Sequence, residues 1–108
     1  MAFTVGNWHK LVKNPNMSRD GEHLNKHCWT AFVELTENPN QTYKYVKKVR
    51  FHLCEGFRKD YVDVSEPDFE LTYRGWGTFD LDIDIEFKNG HKTTVKHYLS
   101  FDADGAWK

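Results

Sequence analysis

The sequence predicts an antiparallel β-sandwich, and three features carry that expectation. Trp29 to Leu35 alternates strictly, placing Trp29, Ala31, Val33 and Leu35 on one face of an extended strand. Phe79 to Phe87 sets Phe79, Leu81, Ile83, Ile85 and Phe87 on one side, with Asp80, Asp82, Asp84 and Glu86 on the other. A helix cannot sort such a sequence into two faces, whereas a strand with one buried face does so automatically. Finally, turn-like clusters at Asn14 to Gly21, Glu37 to Asn40, Gly56 to Asp60 and Ser65 to Asp68 punctuate the chain at the spacing of a sandwich or barrel.

The elements follow in order. His27-Cys28-Trp29-Thr30 opens the first clear strand, and Val49 to Leu53 alternates apolar with polar residues. Asn89-Gly90 is a strong two-residue hairpin signal and predicts a type I′ turn, with positive φ at both central positions. His91 to Phe101 is expected to return antiparallel to Phe79–Phe87. Asp102 to Lys108 has no strand pattern and is expected to fray. No repeat, linker or low-complexity tract interrupts the 108 residues, which suit one domain.

Composition narrows the function classes. Aromatic residues make up 16% of the chain, and so many rings need a core or a ligand surface. The formal net charge is −1, from 15 basic and 16 acidic residues, so no global field favours nucleic acid. Charge is uneven locally: Lys44, Lys47, Lys48 and Arg50 form one run, and Asp80 to Glu86 another. The first could make a weak DNA contact and the second could meet a basic peptide; the plainer reading of both is a solvated strand face. Cys28 and Cys54 do not make a disulfide framework and are expected to be free thiols. No apolar run reaches membrane-spanning length, and Met1 to Lys13 lacks the apolar stretch of a secretion signal. The expectation is a soluble, intracellular chain without a membrane partner.

Three segments in register carry a resemblance. Gly6-Asn7 and His27-Cys28-Trp29-Thr30 come first. Tyr45 to Leu53 follows, running into Glu55-Gly56-Phe57. Pro67-Asp68-Phe69-Glu70-Leu71 then leads to Gly75-Trp76-Gly77-Thr78-Phe79. Together they resemble the YEATS domain over Gly6 to Phe101, the Gly-Trp-Gly-x-Phe segment being the most specific part. The resemblance implies an immunoglobulin-like sandwich that reads acetyl- or crotonyl-lysine on a histone tail. It also implies partner subunits of a chromatin-remodelling, acetyltransferase or transcription complex, and residence in the nucleus.

By position, the rings that would enclose the acyl-lysine are Phe57 and Trp76, with Gly75, Gly77, Gly56 and Cys54 around them. Acylation removes the lysine charge and leaves a flat amide, which stacks well between aromatic faces. Gly75 and Gly77 would let a ligand approach the backbone around Trp76, whose N–H suits the acyl carbonyl. Two positions depart from the family pattern. Cys54 stands where relatives carry histidine, and Gly56 where they carry the serine or threonine whose hydroxyl bonds the ligand amide. The missing bond predicts weaker binding by roughly three- to tenfold. Asp68, Asn25 and Leu99 are milder departures.

Catalysis and metal chemistry find little support. His23, His27 and Cys28 lie in a loop passing into a strand, where no helical face gathers them, and Cys-x-x-Cys and His-Glu-x-x-His spacings are absent. Cys54 and His52 have no identifiable third group, and Asp80, Asp82 and Asp84 are spaced as a strand face. The sequence therefore predicts a binding module without a cofactor. The alternative function is an assembly module whose pocket has degenerated.

Overall fold

Alternation of apolar and polar residues resolves into seven antiparallel strands in the computed structural model, which describes residues 2–17, 21–22, 24–53, 60–75 and 79–99. They are β1 (Phe3–Met17), β2 (Leu24–Leu35), β3 (Val46–His52), β4 (Tyr61–Val64), β5 (Glu70–Gly75), β6 (Asp80–Phe87) and β7 (Lys92–Tyr98). One sheet has the order β1-β2-β5 and the other β4-β3-β6-β7. Two antiparallel sheets enclosing one apolar layer make the β-sandwich that the alternation predicts.

Paired residues of antiparallel strands share a face, so register explains the core. Val49 lies between Val64 and Ile85, and Phe51 between Val62 and Ile83. These meet Trp29, Ala31 and Val33 from the facing sheet, with Leu81, Phe69 and Leu99 completing the cluster. Burying each large side chain contributes about 1.5–3 kcal/mol before the entropy of ordering is deducted. At one end of the sandwich Phe3 and Phe87 join the sheets, their ring centroids 5.2 Å apart.

Three turn expectations need correction. Asn14 to Met17 belongs to β1 rather than to a turn: an irregularity between Leu11 and Asn16 absorbs Pro15, and Met17 still pairs with Leu24. An edge strand tolerates that proline because its missing N–H breaks no central ladder. The Glu37–Asn40 turn leads into a 3₁₀ helix, Pro39–Lys44, tied down by Thr42. Its hydroxyl donates to the Pro39 carbonyl (2.7 Å) and accepts from the Leu35 N–H (2.8 Å). The β6–β7 connection is not a type I′ turn. Gly90 alone takes positive φ (91°), Phe87 N–H donates to the His91 carbonyl at 2.8 Å, and Lys88, Asn89 and Gly90 form a three-residue loop. Asn89 keeps negative φ while its side-chain oxygen accepts the His91 N–H at 2.9 Å. The expected return strand is shorter at its end, closing at Tyr98, while the tail 102–108 lies outside the described residues.

The two charge runs turn out to be neighbours. Register sets Lys48 opposite Glu86, Arg50 opposite Asp84 and His52 opposite Asp82. Glu86 meets Lys47 at 3.6 Å and Lys48 at 3.9 Å. Lys47 and Lys48 of the basic run are thus answered by Glu86 of the acidic strand beside it. No helix among the described residues is long and apolar enough to cross a membrane.

Candidate functional site

The described residues that flank the predicted site lie at one end of the sandwich. The connection between β3 and β4, residues 54–59, is closed at its base by Leu53 N–H donating to the Asp60 carbonyl at 2.8 Å. Because His52 pairs with Asp82, the end of β3 lies beside the start of β6. Phe79, which precedes β6, therefore lies at the same end as Leu53 and Asp60. Phe57, Trp76, Gly77, Gly56 and Cys54 lie outside the described residues, and of the predicted site only Gly75 is described.

Gly75 ends β5 opposite His27 and is buried above the Trp29 indole. A Cβ added there would lie 3.2 Å from Trp29 Nε1 and 3.8 Å from Cδ1. Trp29 would have to give by a few tenths of an ångström to admit a Cβ there, so packing from below favours glycine. Trp29 is fully buried and contacts Phe79 edge-on and Tyr73 at a tilt, both with centroids 6.0 Å apart. Leu99 N–H donates to the Phe79 carbonyl at 2.9 Å, fixing β7 against the entry to β6. Trp29, Phe79, Gly75 and Leu99 make an apolar platform at this end of the sandwich.

Polar side chains line the inner face near this platform. His9 is buried opposite Trp29, and its ring lies 5.1 Å from that of His27. Two residues further down β1, buried Asn7 accepts a 2.7 Å hydrogen bond from His97 Nε2 of β7. That bond joins the two sheets across their open edge. Desolvation holds the His97 pKa below its ordinary 6.5, in keeping with a neutral ring donating through Nε2.

On the outer face of the four-stranded sheet, Arg50 makes a bidentate bridge to Asp63 (2.7 and 3.0 Å) and stacks 3.9 Å over Tyr61. His52 lies 2.8 Å from Asp84, which also accepts from the Thr94 hydroxyl at 2.7 Å. The hydrogen bond from Arg50 lowers the Asp63 pKa, and that from His52 lowers the Asp84 pKa. Sequence reasoning missed these pairings because they depend on register, although it singled out His52 and Asp84 individually. Among the described residues no three histidine, cysteine or carboxylate side chains converge on a metal position, and Cys28 is a free thiol.

The fold and the loop positions now meet a family pattern. The YEATS family profile matches residues 24–103. The chain belongs to the YEATS family. Protein AF-9 homolog of Saccharomyces cerevisiae is 38% identical over 76 residues, covering 70% of this chain and 31% of that protein. Its Schizosaccharomyces pombe counterpart is 31% identical over 96 residues, 87% of this chain and 43% of its own. The chain thus spans less than half the length of these curated YEATS relatives. The crystal structure of the yeast AF-9 homolog Yaf9 superposes with TM-score 0.76 at 34% identity, over 94% of this chain and 67% of that one. The Yaf9 YEATS domain bound to H3K27ac superposes with TM-score 0.75 at 34% identity, over 94% and 72%. A third Yaf9 YEATS structure recognises an H3K122suc peptide, with TM-score 0.75, 31% identity and coverage of 93% and 72%.

Proposed function

We propose that this YEATS domain is a histone reader that binds acetyl- or crotonyl-lysine between Phe57 and Trp76. The observation that carries this reading is that Leu53, Asp60, Gly75 and Phe79, the described residues flanking 54–59 and 76–78, lie at one end of the sandwich around Trp29. Its likeness to a Yaf9 domain bound to an acetylated H3 peptide supports it. Selection works through desolvation and stacking. Unmodified lysine carries a strongly hydrated ammonium that is costly to bring between two rings, whereas the flat acyl amide stacks there. The Trp76 N–H would donate to the acyl carbonyl. Residence in the nucleus and membership of a chromatin complex belong to the same proposal. The module binds and does not catalyse.

The Cys54 and Gly56 departures favour a second reading, an assembly module with a retired pocket. Calorimetric titration with matched histone-tail peptides bearing unmodified, acetylated and crotonylated lysine separates the two. Acyl-dependent binding lost in Trp76→Ala is expected; equal or absent binding across the three peptides would leave the assembly role. Gly56→Ser should raise affinity about three- to tenfold by restoring a hydroxyl partner for the ligand amide. An unchanged affinity would remove the account of the departure. The DNA contact weighed for Lys44, Lys47, Lys48 and Arg50 is disfavoured by the ion pairs of Lys47, Lys48 and Arg50.

A further inference from the structure

A second concavity lies well away from the reader loops, beside the outer surface of the three-stranded sheet. A cleft of about 320 Å³ is bounded by β2, the 3₁₀ helix Pro39–Lys44 and the segment leading into β5. Phe32 contributes from the face of β2 opposite Trp29, Ala31 and Val33, and is buried without belonging to the sandwich core. Tyr43, Pro39 and Pro67 add apolar wall, while Glu34, Asp68 and Glu70 supply three carboxylates, and among the described residues no lysine or arginine lines the cleft. Among the described residues no ion pair engages those carboxylates.

The walls are held in place. Val33 N–H donates to the Phe69 carbonyl at 3.0 Å, and Thr42 ties the 3₁₀ helix to Leu35 and Pro39. A preformed cleft loses little entropy when it is filled. Phe32 lies five residues along β2 from His27, which pairs with Gly75, a separation of about 17 Å at strand rise. The cleft is therefore distinct from the reader platform.

We propose that this cleft docks an unacylated, arginine-bearing stretch of a histone-type tail, an inference that rests on the reading of a basic acylated peptide above. Carboxylates confer attraction to a cation, and aromatic and proline walls favour a planar, weakly hydrated guanidinium over an ammonium. The carboxylates are distributed along the cleft rather than gathered at a metal position, which suits an extended peptide.

The test uses an unacylated peptide of alternating arginine and alanine, titrated into the isotopically labelled domain. Expected are amide shifts at Phe32, Tyr43 and Phe69, weakening in high salt, and a tenfold or greater loss of affinity in Glu34→Gln/Glu70→Gln. The isosteric glutamines keep the fold testable, and Tyr43→Ala should weaken binding severalfold as an independent variant. A matched lysine–alanine peptide should bind severalfold more weakly. Trp76→Ala should leave arginine-peptide affinity within twofold while removing acyl-lysine binding, so failure of the reader and failure of the cleft are distinguishable. Absent binding, binding indifferent to the glutamine pair, or equal affinity for the lysine peptide would overturn the proposal.

Discussion

Charge is arranged oppositely on the outer faces of the two sheets. On the four-stranded sheet, Arg50 is held by Asp63 and His52 meets Asp84, while Glu86 bridges Lys47 and Lys48. On the three-stranded side, Glu34, Asp68 and Glu70 face a cleft with no cation among its described lining residues. Both regions look like ordinary charged strand surface in the sequence. What separates them is the partner that register brings alongside. A face that neutralises itself contributes to the fold and has little charge left for a ligand, whereas an unanswered one retains its attraction.

The comparison can be broken most forcefully through the platform around Trp29. Gly75→Ala forces a methyl to 3.2 Å from a fully buried indole. It should destabilise the domain by about 1–3 kcal/mol, visible as a fall of several degrees in Tm. An unchanged Tm would mean that Trp29 yields freely and that the platform is not rigid. Next in size is the contrast between faces: reversing Lys47 and Lys48 to glutamate should leave arginine-peptide affinity within twofold. The same titration of Glu34→Gln/Glu70→Gln should show the large loss, and similar losses from both would erase the distinction.

A pH titration sharpens the comparison further. His97 has a folded-state pKa below 6.5, so its contribution is present above 6.5 and is lost as pH falls toward the lowered value. Asp63 and Asp84 have folded-state values below 3.8, so their contributions are present above 3.8 and are lost only as pH falls through those lowered values. Chemical denaturation across pH should show an early loss that His97→Gln removes and a later acid loss that it does not. The smallest effect is expected for Arg50→Ala, whose exposed bridge should change Tm slightly, and less in molar salt than at low ionic strength.

The parts of the fold legible in the sequence were those where one face is apolar without exception. Leu81, Ile83 and Ile85 are buried, with Asp80 and Asp82 exposed between them, so β6 declares itself. β1 does not, because its inward positions include the polar residues Asn7, which His97 of β7 bonds, and His9, whose ring packs on His27 of β2. The Asn89-Gly90 pair announced a hairpin correctly but not its loop length, since Asn89 uses its side chain on the His91 N–H instead of taking positive φ. Of the site, the motifs around Phe57 and Trp76 marked two candidate loops in the sequence, and those two residues lie outside the described ones. The platform was not, because nothing in the order of residues puts Trp29 beneath Gly75. The second cleft was invisible for the same reason: it assembles Phe32, Tyr43 and Glu70 from three separate segments.

Acyl-lysine reading at the loop end is tested most directly by mapping amide shifts with a histone-tail peptide, acetylated and unmodified in parallel. The account predicts that the acetylated peptide alone moves the amides of Leu53, Asp60, Gly75 and Phe79, the residues that frame the two loops. Shifts confined to other parts of the sandwich, or identical for both peptides, would contradict it.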